Sequence, residues 1–141
     1  MTSIAINPAT IAPAWQAFQR TLPVKLATIR SKTAYDRTVS FMNSLLDVVG
    51  DNETHELASL LGLVGQLVQD YESTHSTLPD AAPHEVLQFL MAQHSSKQSD
   101  LAQEVGGQSA VSDILNAKRA INARQAKALA ARYGVSAAVF I

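Results

Sequence analysis

The sequence predicts an all-α fold, and three observations lead to this prediction. Apolar residues recur at steps of three and four over long stretches, as they do on one face of a helix. Residues 97–119 (KQSDLAQEVGGQSAVSDILNAKR) have the spacing of two short helices joined by a glycine turn. No alternation of apolar and polar residues is long enough to predict a strand. An apolar content of 47% over 141 residues is sufficient for a folded core.

The first 27 residues are predicted to be a separate segment, partly disordered and containing at most one short helix. Three prolines interrupt it, and its apolar periodicity is weak around Trp15 and Phe18. These two aromatic side chains either pack on the remainder of the protein or form an anchor for a partner.

The next part of the chain, residues 28–78, predicts a helical hairpin. One helix spans 33–49, Asp51 or Asn52 is expected as the N-cap after a break at Gly50, and a second helix spans 54–73. Two amphipathic helices with a short connection pack antiparallel. The second helix has an apolar stripe that we expect to be core, with a dimer or partner interface as the alternative; it consists of Leu57, Leu60, Leu61, Val64, Leu67, Val68 and Tyr71.

The turn-rich linker Ser76–Pro83 predicts a domain boundary, and residues 79–141 predict five short helical elements. They are expected at 84–94 with Val86, Leu87, Leu90 and Met91 facing inward, at 98–105, at 108–116, from Asn122 to Tyr133, and as a final turn at 136–140. Asn122 and Gln125 have the spacing of a capping box, and Gly134 stands where a C-cap glycine belongs.

Charge is strongly segregated along the chain, although the net charge is only −1. Residues 1–37 carry five basic residues and one acid, and residues 97–141 carry six basic residues and three acids. Residues 38–96 carry eight acids and no lysine or arginine. The pattern predicts two surfaces with different partners, the alternative being chance placement of solvated residues.

Several function classes lack their signatures. There is no cysteine, the four histidines have no metal-ligand spacing, and no phosphate-binding loop or nucleophile elbow is present. We therefore expect no metal, no cofactor and no enzymatic activity. We also expect a cytoplasmic protein without membrane contact, because no apolar run is long enough to span a bilayer and no signal peptide is evident.

The glycine-turned pair within residues 97–119 indicates a helix-turn-helix, whose second helix enters the DNA major groove. The alternative is an ordinary small helical bundle with a glycine turn. The residues predicted to contact base edges are Gln108, Ser109, Ser112 and Asp113, and those predicted to contact phosphates are Lys97, Gln98, Asn116, Lys118 and Arg119. Because one recognition helix covers few base pairs, we expect a homodimer on an inverted repeat with half-sites about 10 bp apart.

Residues 86–141 resemble the Xre/Cro-type helix-turn-helix domain. The resemblance is carried by Gln98, Leu101–Ala102, Gly106, Ser109–Ser112, Ile114–Arg119, Ala130–Gly134 and Val135–Phe140. Over residues 28–141 the arrangement is similar to HigA-type antitoxins, with an ExYD-like helix start (KTAYDRTVSFMNSLL) and a leucine-rich helix that ends in YE (LASLLGLVGQLVQDYE). Two positions depart from the domain pattern. Ala117 replaces a usual glycine and predicts a tighter or less left-handed turn, and Gly107 replaces a larger polar residue and predicts a shifted start of the recognition helix.

The resemblance implies a DNA-binding domain over residues 79–141 and a toxin-binding or dimerisation region over residues 28–78. It implies neutralisation of a HigB-like toxin, a small basic ribosome-dependent mRNA endonuclease of the RelE superfamily, and repression of the shared promoter by a dimer. We expect the acidic region to face the basic toxin. The candidate toxin contacts are Asp47, Asp51, Glu53, Glu56, Asp70, Glu72, Trp15 and Phe18. A stand-alone repressor and an adaptor that no longer binds DNA are the alternatives.

Overall fold

The structure is a computed structural model that describes residues 7–75 and 81–141 and is all-helical over these ranges. Its α-helices are α1 (Ala12–Thr21), α2 (Lys32–Val49), α3 (Ala58–Ser73), α4 (Pro83–Gln93), α5 (Ala102–Val105), α6 (Gln108–Leu115) and α7 (Ala123–Tyr133). Short 3-10 helices span Pro8–Thr10, Gln98–Leu101 and Ala137–Phe140. The all-α prediction is confirmed.

Helices α2 and α3 pack against each other as the predicted hairpin. Helix α2 begins where the Ser31 hydroxyl accepts a hydrogen bond from the Ala34 N–H at 3.1 Å, as an N-cap residue does. The side chains buried between and beneath the two helices include Met42, Leu45, Leu46, Val49, Leu61, Val64 and Val68. The periodicity of these apolar residues therefore locates the hairpin core correctly.

The predicted beginning of α3 is wrong. The helix starts at Ala58 rather than near residue 54, and its N-cap is Leu57 without a side-chain cap. The Asn52 side chain instead accepts hydrogen bonds from the N–H and the hydroxyl of Thr54, at 3.1 and 2.9 Å. Asparagine caps a local turn as readily as a helix, so this residue type does not by itself locate the helix start.

At the open end of the hairpin, where α2 begins and α3 ends, residues from the two HigA-like motifs contact each other. The Tyr35 hydroxyl donates to Glu72 Oε2 at 2.6 Å, and the Tyr35 ring stacks on Tyr71 with ring centroids 4.7 Å apart. Burial, together with the hydrogen bond to Glu72, raises the pKa of Tyr35. The ExYD-like helix start and the terminal YE are thus in direct contact and hold the two helices together.

The C-terminal part follows the predicted order of elements. Helix α4 buries the four expected side chains, Val86, Leu87, Leu90 and Met91. Asn122 and Gln125 form the predicted capping box of α7, Gly134 ends that helix with a φ of 64°, and a 3-10 turn follows. The predicted linker Ser76–Pro83, and the domain boundary within it, lie largely outside the described residues.

The hairpin and the C-terminal part contribute to one hydrophobic cluster. Helix α2 packs on α7, and the final 3-10 turn packs on α3, α4 and α7. The closed end of the hairpin is joined to α7 by polar contacts: Lys127 pairs with Asp47, and Arg124 Nε lies 2.7 Å from Asp51 Oδ1. The Arg124 N–H also donates to the Gly50 carbonyl at 3.2 Å.

Two glycines of α3 are expected to respond oppositely to alanine. A Cβ on Gly65 would lie 3.1 Å from two carbon atoms of Ile141, whereas a Cβ on Gly62 meets nothing within 4 Å. Gly62→Ala is expected to stabilise the protein by about 0.5–1 kcal/mol because alanine favours the helix. Gly65→Ala is expected to destabilise it by about 1 kcal/mol or more, because the half-buried Ile141 packs directly on this position and must move.

The measurement is urea unfolding of both variants, followed by circular dichroism at 222 nm. Helix propensity is changed equally in the two variants, so their difference isolates the contact between α3 and the C-terminal residue. Equal stabilisation by both substitutions would contradict close packing of Ile141 on Gly65.

Candidate DNA-binding site and partner surface

The helix-turn-helix is formed by two helices that meet at a pair of glycines. The 3-10 turn Gln98–Leu101 runs directly into α5 to make the first helix. Gly106 and Gly107 have φ angles of 101° and 134°, which side-chain-bearing residues rarely adopt. Helix α6 then begins at Gln108, with Gly107 as its N-cap. The glycine pair therefore sets the angle between the helices.

Helix α6 is held on the core by one face and presents a polar face on the other side. Ala110, Val111 and Ile114 are buried. Gln108, Ser109 and Asn116 are exposed, whereas Ser112 and Asp113 are half-buried. The spacing of these five polar residues along the chain puts them on one side of the helix. The four residues predicted to contact bases thus lie together on one accessible surface.

Helix α6 ends in a Schellman motif with alanine at the left-handed position. The Lys118 N–H donates to the Asp113 carbonyl at 2.8 Å, and the Ala117 N–H donates to the Ile114 carbonyl at 3.0 Å. Ala117 has a φ of 57°, so the expectation of a less left-handed turn is wrong. The two terminal hydrogen bonds require that backbone conformation whether or not the residue is glycine.

Replacing Ala117 with glycine is expected to stabilise the protein by about 1 kcal/mol, because the left-handed conformation costs an alanine roughly that amount. The melting temperature should rise by about 2–5 °C for a domain of this size. The matched control is Ala131→Gly, at an exposed position inside α7, which should lower stability by about 1 kcal/mol. A fall in the melting temperature of Ala117→Gly would contradict the left-handed turn.

Helix α7 holds the first helix of the pair through a buried amide. Gln125 is 4% exposed, and its Nε2 donates to the Val105 carbonyl at 2.7 Å. Arg132 Nη1 lies 2.8 Å from Glu104 Oε1, and this hydrogen bond raises the pKa of Arg132. The sequence predicts Gln125 only as a capping residue. Its second bond joins residues 20 positions apart, and no local pattern predicts such a contact.

The predicted phosphate contacts lie at the start of the first helix and at the end of α6. Lys97, Lys118 and Arg119 are exposed, and none of them forms an ion pair with any residue of 7–75 or 81–141. Gln98 is half-buried at the start of the first helix, and the Asn116 side chain bonds back to the Ser112 carbonyl at 2.9 Å. Three cationic groups therefore remain accessible to an external anion.

The acidic residues predicted to contact a toxin lie at both ends of the hairpin rather than in one patch. Those from Asp47 to Glu56 lie at or near its closed end, and Asp70 and Glu72 lie at its open end, about 20 Å away along α3. Asp47, Asp51 and Glu72 are already engaged by Lys127, Arg124 and Tyr35. Glu53, Glu56 and Asp70 are exposed and form no ion pair within the described residues, and Asp70 accepts a hydrogen bond from Gln66 Nε2 at 2.7 Å.

An apolar groove of about 480 Å³ lies between α1 and the outer face of α3. Trp15 and Phe18 form one wall, with exposed fractions of 46% and 41%. Leu60, Leu63 and Leu67 lie on the wall provided by α3, and Leu63 is 63% exposed. The two aromatic residues therefore face the hairpin without being covered by it. Large adjoining apolar side chains left in solvent are typical of a protein-interaction surface.

No helix of the described ranges has the length and apolar character needed to cross a membrane. The helix-turn-helix family model matches residues 88–140, which contain the glycine-turned pair and α7. The chain is also similar to antitoxin HigA of Escherichia coli strain K12, E. coli O6:H1 strain CFT073 and Shigella flexneri. With each of them it shares 32% identity over 124 residues, covering 82% of this chain and 85% of the relative. This extent of similarity, which includes the hairpin, shows that the chain belongs to the HigA family of antitoxins, with a DNA-binding domain of the Xre-type helix-turn-helix class.

Proposed function

We propose that this protein neutralises a basic RNA-cleaving toxin of the HigB/RelE type and, as a homodimer, represses its own operon. The observation that carries the proposal is the similarity to HigA antitoxins along both the hairpin and the helix-turn-helix. The separation of a polar, cation-flanked surface on α6 from an apolar groove on α3 supports two different partners.

For operator binding, α6 lies in the major groove. Gln108, Ser109, Ser112 and Asp113 contact base edges, with serine tolerating several bases and aspartate accepting from the exocyclic amine of cytosine. No side chain caps the N-terminus of α6, so its first-turn N–H groups are available to a phosphate oxygen. Lys97, Gln98, Asn116, Lys118 and Arg119 contact phosphates and fix the register.

For toxin binding, the apolar groove supplies the centre of the interface. Trp15, Phe18 and Leu63 are large, adjacent and solvent-exposed, and central aromatic and aliphatic anchors contribute most of the energy of such interfaces. Asp70 lies seven residues after Leu63 on the same face of α3, and Glu56 precedes that helix. Asp70 thus lies about 10 Å along α3 from Leu63, where an exposed carboxylate favours a basic partner and speeds its association.

Three of the six acids predicted to contact the toxin already have partners within the chain. Asp47 and Asp51 hold the closed end of the hairpin on α7, and Glu72 bonds to Tyr35. Removing them would disturb the fold as well as a complex. Glu53, Glu56 and Asp70 can be neutralised without breaking an ion pair of the described chain, so they are the acids that report on toxin capture.

The experiment is co-expression with the neighbouring reading frame, followed by affinity purification through a tag on this chain. We expect a small basic protein to co-purify in a defined ratio, and we expect the purified chain to shift the DNA upstream of its own gene. A DNA shift without a co-purifying protein would favour a stand-alone repressor. A complex without a DNA shift would favour an adaptor.

A further inference from the structure

A second group of cations lies in a cavity that neither proposed function uses. The cavity has a volume of about 550 Å³ and lies between the loop after α1 and the first turns of α2. Lys25, Arg30 and Arg37 line it, together with the hydroxyl-bearing residues Thr28 and Ser31. It lies near the end of α2 opposite to the contacts with α7. This cavity is therefore separate from α6.

The loop that forms one wall of the cavity is fixed in place. The Gln19 side chain accepts a hydrogen bond from the Leu26 N–H at 3.0 Å and donates to the Leu26 carbonyl at 3.4 Å. Three residues later Ile29 is buried in the hydrophobic core. The loop is thus held at both points by the chain's own contacts. The volume falls within the range of small-molecule sites, roughly 300–1,000 Å³.

The distribution of ion pairs sets these cations apart. Of the eleven lysine and arginine residues, four pair with an acid in the described chain: Lys32, Arg124, Lys127 and Arg132. Three of the seven unpaired residues flank the helix-turn-helix. The other four are Arg20, Lys25, Arg30 and Arg37, and three of these line the cavity. The N-terminus of the 18-residue helix α2, whose partial charge is positive, lies at the same place.

We propose that this cavity binds an organic phosphate, such as a nucleotide with a polyphosphate chain. Lys25, Arg30 and Arg37 hold the phosphate groups, because cationic donors and anionic acceptors form the stronger class of hydrogen bond. The apolar part of the ligand packs on Leu22 and Val24, which are half-buried and line the same cavity. A bound phosphate would join the loop to α2 and so stabilise the open end of the hairpin.

Isothermal titration calorimetry of the full chain tests this proposal with ATP, pyrophosphate and adenosine as probes at 0.15 M salt. We expect ATP to bind more tightly than pyrophosphate, and adenosine to bind at least about 10-fold more weakly than ATP because it lacks the charges. Simultaneous Lys25→Gln, Arg30→Gln and Arg37→Gln substitution should weaken ATP binding by about 10-fold or more. Arg37→Gln alone serves as a second variant with less perturbation, checked for folding by circular dichroism.

The matched control removes the same number of charges elsewhere, with Lys97→Gln, Lys118→Gln and Arg119→Gln. ATP affinity should change by less than about 2-fold there, because the cavity is untouched. Equal weakening in both triple variants would show general attraction to a basic surface and would overturn the proposal. No heat from ATP at millimolar concentration would overturn it too, as would tighter binding of a short RNA than of ATP. The assay contains neither toxin nor operator, so its result is independent of the proposed function.

Discussion

Leu63→Asp is expected to weaken toxin binding by about 100-fold or more, without unfolding the protein. Leu63 lies in the apolar groove between α1 and α3 and is 63% exposed. In a complex centred on this groove, aspartate would bury an unpaired carboxylate where a leucine packed. Loss of one central interface residue costs at least about 2 kcal/mol, and a buried unpaired charge adds to this. Calorimetry with the purified toxin gives the dissociation constant.

The matched control for Leu63→Asp is Val48→Asp. Val48 is 56% exposed on α2 but does not line the groove, so the substitution adds the same charge to a similarly exposed helical position. Its effect on toxin affinity should stay within about 3-fold, the level of a surface change. Both variants should shift the operator DNA as the unmodified protein does. Equal toxin affinity for Leu63→Asp and the unmodified chain would remove the groove from the interface.

Lys118→Ala combined with Arg119→Ala is expected to weaken operator binding by about 10- to 100-fold at 0.15 M salt. Both side chains are exposed next to the end of α6, and neither forms an ion pair within the described ranges. The loss should be similar for specific and unrelated DNA, because phosphate contacts carry no sequence information. The slope of log affinity against log salt should fall by about two units per monomer, one for each lost contact. Mobility-shift titrations at several salt concentrations measure both quantities.

The control for this double variant is Lys25→Ala with Arg30→Ala, which removes the same charge at the open end of the hairpin. These cations are also unpaired in the described chain but lie near the opposite end of α2 from α7. DNA affinity and salt slope should be nearly unchanged. A similar loss of DNA affinity in the two double variants would indicate that net charge alone governs DNA binding. It would contradict a specific DNA-binding surface at α6.

The elements that sequence analysis predicted well have strong local signals. Asn122, Gln125 and Gly134 define both ends of α7 within a dozen residues, and their capping bonds form between near neighbours. The apolar spacing of α2 and α4 likewise identifies the buried side chains. The helix-turn-helix belongs to this class, because its glycine pair and the apolar residues around it lie within one short stretch.

The features that could not be predicted depend on contacts between distant residues. Asp47 and Asp51 look like free acids in the sequence, but their partners Lys127 and Arg124 follow 80 and 73 residues later. The close approach of Ile141 to Gly65 is likewise a product of tertiary packing. The start of α3 differs from the prediction for another reason, because Asn52 forms a local turn that competes with helix capping. Residue type alone does not determine which ion pairs, core contacts and caps form, because these also depend on the surrounding structure.

The central claim is that toxin neutralisation and DNA binding use separate surfaces of one antitoxin. The most direct measurement is growth of cells in which the neighbouring toxin gene is induced while this chain is supplied from an independent promoter. We predict that the unmodified chain and the Lys118→Ala, Arg119→Ala variant restore growth, and that Leu63→Asp does not, at equal amounts of folded protein. Restored growth with Leu63→Asp, or failure of the folded double variant to restore growth, would contradict the claim.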